Sequence, residues 1–289
     1  MDMAKVFALD QNFFRSGELE SLIAADPTAK FVVLDIALLE MAKGDEWMKI
    51  MRRSLEILSK RPGRILASIS LGEALRYELE TLDRAPLNMI CKESTRYVRA
   101  LATELAANDP AAPTIRQFRA RLPAVQNDLS HDELDHSKNL KRLQDMTTKV
   151  KEFLKPAGMK VVKQPDFPTI ERLALVYFIA SILAKDELIA RGHLPVRVRR
   201  FLKGNPLYFR YYLTLVRHGL EWAIKGGIEN YTPQKATNDT FDQEYVVAGS
   251  FFDDLLSCEK RVIVANQELR FMLSIKNPGG ITLPFSRAE

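Results

Sequence analysis

The sequence predicts an α/β fold in which a parallel sheet is flanked by helices and carries a large, mainly helical insertion. The first observation is that short apolar runs alternate with helical patterns, which is the order of elements in parallel sheets. These runs are Lys5–Leu9, Phe31–Leu34, Ile65–Ile69 and Arg261–Val264. The second is that the sequence lacks such runs between Ala85 and Lys203, where prolines are frequent. We therefore expect residues 1–84 and 205–289 to form one α/β domain and residues 85–204 to form the insertion.

Helical patterns separate the predicted strands of the N-terminal part. A helical segment at Ser16–Ala25 follows the first strand, and the stretch Asp35–Leu58 predicts one or two helices broken near Gly44. After the third strand, Ser70 followed by Glu73 matches a capping box, in which both side chains satisfy backbone amides at the start of a helix. Capping explains Glu73, and a place in an acidic site stays open as the second interpretation.

The stretch 232–264 predicts a helix, a turn and the last strand. Asp239 and Asp242 lie in the first turn of this helix, and Ser257-Cys258-Glu259 forms the turn before the strand. One explanation of the acids is capping, since Asp is a good N-cap and acidic first turns suit the helix dipole. The other is an acidic site, because Asp10 directly follows the first strand, where open parallel sheets bind their ligands.

Three segments resemble the PIN-like nuclease family. They are FALDQNFF at 7–14, LDIALLEMAK at 34–43 and NDTFDQEYVVAGSFFDDLLSCEKR at 238–261. The resemblance covers roughly the first 85 and the last 80 residues. It implies a parallel α/β sheet and a metal-dependent hydrolase that cuts phosphodiester bonds in RNA or, less often, in DNA.

The resemblance also implies which side chains carry the chemistry. The catalytic acids would be Asp10, Glu40, Asp239, Asp242 and Glu259. Asp10, Glu40 and Asp242 would be the metal ligands. Asn12 and Asn238 would orient ligands or waters through hydrogen bonds. Clustered carboxylates repel one another and are usually neutralised by a cation, and hard oxygen donors suit Mg²⁺ or Mn²⁺.

The last acid departs from the family pattern, and this keeps a second function open. The family usually has a Ser/Thr-x-Asp turn, whereas this chain has Ser257-Cys258-Glu259. The alternative is a catalytically degenerate protein that keeps the fold and binds nucleic acid or a protein partner. The sequence lacks the motifs of other enzyme classes, since it has no phosphate-binding Gly-rich loop and no nucleophile elbow.

The most basic segment of the chain predicts contacts with nucleic acid, single-stranded RNA being favoured. Its cations are Arg197, Arg199, Arg200 and Lys203. The aromatic residues of 208–212 follow, and cations combined with rings suit phosphates and stacked bases. Two other interpretations stay open: the cations form a solvated surface, and the tyrosines form the core of a helix running to Lys225.

Composition favours a cytoplasmic protein without a membrane segment. The net charge of +5 and the pI near 9.1 give a mild preference for polyanions. The two cysteines, Cys91 and Cys258, lack metal-ligand spacing and indicate a reducing compartment. The N-terminus has no apolar signal region, and the run Leu173–Leu183 is too short to span a bilayer. A homo-oligomer or an inhibitory protein partner stays open.

Overall fold

A computed structural model describes residues 4–86, 89–128, 136–229 and 231–275. Within these ranges four strands form one sheet with the order β3-β2-β1-β4, and each neighbouring pair is parallel. The strands are β1 (Val6–Leu9), β2 (Lys30–Val33), β3 (Ile65–Ala67) and β4 (Asp254–Leu256). The predicted α/β class with a parallel sheet and flanking helices is therefore confirmed.

Helices make up most of the remaining described chain. They are α1 (Gly17–Ala25), α2 (Asp35–Ala42), α3 (Trp47–Ser59), α4 (Leu71–Thr81), α5 (Lys92–Ala107), α6 (Pro113–Asp128), α7 (His136–Val162), α8 (Thr169–Ala190), α9 (Pro195–Leu202), α10 (Leu207–Ile224), α11 (Pro233–Gly249) and α12 (Lys260–Ser274). The break between α2 and α3 falls at Gly44, as predicted, because its φ of +81° suits glycine. Ser70 accepts the amide of Glu73 at 3.3 Å, which confirms the predicted cap of α4.

The described residues fall into two compact units. The first unit is drawn from Met1–Ala74, Pro86–Asp135 and Glu244–Asn266. The second unit is drawn from Leu75–Ala85, His136–Gln243 and Gln267–Glu289. These bounds differ from those of the predicted domains, although the described residues between 85 and 203 are helical and contain no strand beyond an isolated bridge.

Specific contacts explain the difference in bounds. Helix α5 belongs to the first unit because it packs against β3 and α3. Thr95 Oγ1 accepts the amide of Ala67 at 2.9 Å, and Arg99 Nε donates to the carbonyl of Ile65 at 2.8 Å. Helix α10 belongs to the second unit, where it packs against α7 and α8.

The sheet is apolar at its centre, as is typical of parallel sheets that are covered on both faces. Ala8 and Leu9 of β1, and Phe31 to Val33 of β2, have no exposed surface. Strands that are covered on both faces read as continuous apolar runs, so these short segments were visible in the sequence. Leu9 pairs with Val33 on one side and Leu256 on the other, and the residues after these strands lie at one edge of the sheet.

The prediction of a strand at Arg261–Val264 is wrong, because this run lies in α12. Val262 is buried and Ile263 is partly exposed, which fits one face of a helix in spite of the β-branched composition. The fourth strand is β4, which was predicted to belong to a helix. Asp253 starts it by donating its amide to the carbonyl of Val6 at 2.9 Å and accepting the amide of Val6 at 2.6 Å.

Candidate carboxylate site

Asp10 lies at the carboxyl end of β1 with Ser257 beside it at the end of β4. Asp10 is 4% exposed and Ser257 is 7% exposed. The Ser257 hydroxyl donates to Asp10 Oδ2, and it accepts the amide of Glu259 at 2.9 Å. One hydroxyl therefore connects the acid after β1 to the turn after β4, which the parallel register brings to the same edge.

Glu259 is held at this edge by two side chains of the first unit. Asn12 Nδ2 donates to Glu259 Oε1 at 2.8 Å. Arg261 Nε donates to Glu259 Oε2 at 3.3 Å, and the Glu259 side chain keeps 38% of its surface exposed. Asn12 was predicted to orient ligands or waters, and in the structure its amide orients a carboxylate.

Glu40 is the third acid, and it comes from α2. Its Oε2 accepts the hydroxyl of Tyr245 at 2.6 Å, and Tyr245 is 2% exposed in α11. In the sequence, Tyr245 is one of the apolar residues of the helix predicted within 232–264. Nothing in the local sequence indicates its contact with Glu40, which is 205 positions away.

The three carboxylates act on one another electrostatically. Burial raises the pKa of Asp10, against the hydrogen bond from Ser257, and the charge of Glu259 raises it further. Burial also raises the pKa of Glu40, against the hydrogen bond from Tyr245 and the charge of Lys43. The charges of Asp10 and Glu259 add to this increase in the pKa of Glu40. The first unit therefore gathers like charges that burial and repulsion disfavour.

This donor set fits a hard divalent cation by its chemistry. Carboxylate oxygens are the ligands of Mg²⁺ and Mn²⁺, and a cation relieves repulsion between them. Within the described ranges no group of three or more His, Cys, Asp and Glu side chains is arranged so that it could hold a metal ion. Mg²⁺ commonly keeps several waters and takes one or two carboxylates directly, so two acids would suffice. Asp10, together with Glu40 or Glu259, would hold the ion.

The other predicted acids belong to the second unit. Asp239 is 4% exposed and lies inside α11, so the explanation of Asp239 as an N-cap is wrong. The helix begins at Pro233, a residue suited to a first turn. The carboxylate of Asp239 accepts the Tyr231 hydroxyl and lies 3.1 Å from His218 Nε2. It stays a prediction that Asp239 and Asp242 share one acidic site with Asp10. The same holds for the supporting role of Asn238, which is exposed.

One further acid at the carboxyl edge of the sheet has a structural role. Asp35 follows β2, and its Oδ2 accepts the amide of Leu71 at 2.7 Å at the start of α4. Its own amide donates to the hydroxyl of Ser68, which follows β3, at 2.9 Å. A carboxylate at the start of a helix interacts favourably with the helix dipole, which explains Asp35 without a catalytic or metal-binding role.

The predicted basic segment forms α9 and the residue after it. Arg197, Arg199, Arg200 and Lys203 are all exposed. Arg197 Nη2 donates to the carbonyl of Thr81 at 3.1 Å, and Arg197 and Arg200 line a cleft of about 350 Å³. In α10 the rings of Tyr208, Phe209 and Tyr212 are buried. The interpretation of these aromatic residues as helix core is therefore confirmed.

Comparison with protein-family models, with curated proteins and with solved structures finds no match to this chain. The described part of the chain contains no helix with the length and apolar character needed to cross a membrane. The assignment of a function therefore depends on the geometry of the carboxylate site.

Proposed function

We propose that this protein is a nuclease that uses Mg²⁺ or Mn²⁺ to hydrolyse phosphodiester bonds, with RNA favoured over DNA. The observation that carries the proposal is that the Ser257 hydroxyl connects Asp10 to the turn of Glu259 at the carboxyl edge of a parallel sheet, where the charges of both acids raise the pKa of Glu40. The three acids come from β1, α2 and the turn after β4. Edges of this kind are where parallel α/β sheets bind ligands.

The residues around the acids would position them for a bound ion and a phosphate. Ser257 holds one oxygen of Asp10, and Asn12 holds one oxygen of Glu259, so that each acid has a fixed orientation. Tyr245 donates to Glu40 and favours its ionised form. When bound, a divalent ion lowers the pKa of a water ligand and stabilises charge on the leaving oxygen.

Cleavage of labelled RNA and DNA oligonucleotides tests the proposal. We expect cleavage by the wild type with Mn²⁺, no cleavage with a chelator, and a loss of about 100-fold or more in Asp10→Asn and Glu40→Gln. Asn at position 10 keeps an oxygen that can accept from Ser257, so folding should be retained. Glu56→Gln is a matched control, because Glu56 is exposed on α3 of the same unit.

Two outcomes would contradict the nuclease proposal. Equal cleavage by the wild type and Asp10→Asn would assign the activity to a contaminant. No cleavage of any substrate by a folded wild-type protein in Mg²⁺ or Mn²⁺ would remove the proposal altogether.

A catalytically degenerate protein that binds nucleic acid or a protein partner is the second candidate function. The observation that favours it is that both Glu259 oxygens already accept side-chain donors, Asn12 and Arg261. For this candidate we expect binding of an oligonucleotide or partner that is the same with Mn²⁺ and with a chelator, without cleavage. Binding that requires Mn²⁺ would exclude it.

A further inference from the structure

The second unit contains an open groove of about 450 Å³ that is separate from α9 in its lining. We name it the basic groove and define it by the residues Leu75, Leu79, Lys138, Lys141, Arg142, Asp145, Met146, Lys149, Glu187, Arg191, Tyr208, Tyr211, Tyr212 and Leu215. The buried part of this lining is apolar and aromatic, and the exposed part is charged. No local sequence pattern groups these residues, because they come from α4, α7, α8 and α10 and from the turn after α8.

The exposed lining carries more positive than negative charge. The groove contains five cations and two acids, a difference of three positive charges. One of the acids, Glu187, is already compensated, since Arg191 Nη2 donates to its Oε1 at 2.7 Å and the Tyr212 hydroxyl donates to its Oε2. Asp145 is the acid that faces the four cations of α7 in this lining. An anionic ligand is therefore complementary to the groove.

The cations of α7 form one stripe along the helix. Lys138, Lys141, Arg142 and Lys149 are exposed, and their spacing places them on one face. With a rise of about 1.5 Å per residue, the stripe is about 16 Å long. The opposite face is buried through Leu143. A solvated charged face is the ordinary explanation of such a stripe, so a ligand needs a second observation.

The second observation is an arginine stacked on an aromatic ring within the groove. The guanidinium carbon of Arg142 lies 5.6 Å from the centroid of the Tyr211 ring. Arg142 Nη2 also donates to Asn139 Oδ1 at 3.4 Å, which helps to fix its plane. Tyr211 is half-buried, whereas Tyr208 and Tyr212 are buried. A planar cation over a ring is the kind of platform on which nucleic-acid bases stack.

We propose that the basic groove binds single-stranded nucleic acid. The lysines of α7 contact the phosphates, and the pair Arg142–Tyr211 stacks against a base. An acidic peptide would share the charge but would gain nothing from a stacking platform. The inference rests on the proposed function, because the bound strand is taken to be the substrate of the nuclease. Binding is measured without divalent ions, so that no cleavage takes place.

Fluorescence anisotropy with labelled single-stranded RNA and DNA of about 12 nucleotides, in the presence of a chelator, tests the groove. We expect Lys141→Gln with Lys149→Gln to raise the Kd about tenfold. The slope of log K against log salt should become shallower by about 1.4, since each single-strand phosphate contact contributes about 0.7. Lys160→Gln with Lys163→Gln is the matched control, because both lysines are exposed in the second unit outside the groove lining and their replacement removes the same charge. The control should bind as the wild type does.

The stacking step is tested separately at Tyr211. Tyr211→Leu should weaken binding with little change in the salt slope, and Tyr211→Phe should bind as the wild type does, because it keeps the ring. Circular dichroism verifies that each variant is folded. Equal loss in the Leu and Phe variants would overturn the stacking assignment.

Three results would overturn the proposal that the basic groove binds single-stranded nucleic acid. Equal binding by the wild type and the lysine pair would do so. Loss of binding only in Arg199→Ala with Arg200→Ala would move the interface to α9. Binding of polyglutamate but of neither oligonucleotide would assign an acidic protein partner. A folded wild type that cleaves neither oligonucleotide with Mn²⁺, but loses binding in the lysine pair, would remove the nuclease proposal and leave the groove.

Discussion

Two buried carboxylate environments, one in each unit, differ in what compensates the charge. In the second unit Glu78 is 1% exposed, and its carboxylate accepts three backbone amides, those of Ala85 at 2.9 Å, Leu207 at 3.1 Å and Tyr208 at 2.8 Å. In the first unit Asp10 accepts the Ser257 hydroxyl, and backbone hydrogen bonds from Gln11 and Asn12 also lower its pKa, whereas Glu40 accepts the Tyr245 hydroxyl. Backbone amides at the start of α10 therefore replace the hydration of Glu78.

Burial alone does not identify a functional acid. Burial raises the pKa of Glu78, as it raises those of Asp10 and Glu40. For Glu78 the backbone amides and the charge of Arg210 oppose the increase. For Asp10 and Glu40 the neighbouring acids add to it. An acid that caps a helix is structural, whereas acids that repel one another at a sheet edge suit a cation.

Replacing Glu78 should produce the largest effect on stability. Glu78→Ala leaves the amides of Ala85, Leu207 and Tyr208 without this acceptor, so we expect a loss of about 3 kcal/mol in the free energy of unfolding. Glu78→Gln should lose less, because its carbonyl oxygen still accepts. Urea denaturation followed by circular dichroism measures both. A loss below about 0.5 kcal/mol in the Ala variant would show that this acid does not fix α10.

Mn²⁺ should stabilise the first environment and leave the second unchanged. At an ion concentration of about 100 times the Kd, binding to the folded state adds about 2.7 kcal/mol. We therefore expect Mn²⁺ to raise the Tm of the wild type and of Glu56→Gln, and to have little effect on Asp10→Asn. Differential scanning fluorimetry with and without a chelator measures this. The same increase in Asp10→Asn would place the ion elsewhere.

Removing the hydroxyl of Tyr245 should have a smaller effect. Tyr245→Phe removes the hydrogen bond to Glu40, and a bond to a charged group contributes about 1.5 to 3 kcal/mol. Because this bond favours the ionised form of Glu40, the loss should be larger at high pH and should shrink in acid, where Glu40 takes up a proton. Chemical denaturation of both proteins across pH tests this. A loss that does not vary with pH would contradict the role of the bond.

The pH dependence that Glu78 contributes should be the smallest effect. Its pKa in the folded protein is raised above the ordinary value of 4.5, so the folded state holds the proton to higher pH than the unfolded state. Stability from this group is therefore present below 4.5 and is lost as the pH rises through the folded pKa. As the pH rises, the wild type should therefore lose unfolding free energy relative to Glu78→Gln. An opposite trend would show that the amides outweigh burial.

Much of the first unit could be predicted from short windows of sequence. The strands β1, β2 and β3 were placed within two residues at each end, because covered parallel strands are continuous apolar runs. The break at Gly44 and the cap at Ser70 were also local signals. The position of Asp10 at the end of β1 followed from the same reasoning.

The tertiary structure decided the partners of these residues. Tyr245 reaches Glu40 across 205 positions, and Ser257 reaches Asp10 across 247, so no local pattern links them. It also decided that 254–256 pairs with β1 while the β-branched run at 261–264 forms a helix, because pairing with an existing strand edge outweighs intrinsic propensity. The acids and the apolar runs can be read from the chain alone, whereas the parallel register of β1 and β4 brings Asp10 and the turn of Glu259 to one edge of the sheet.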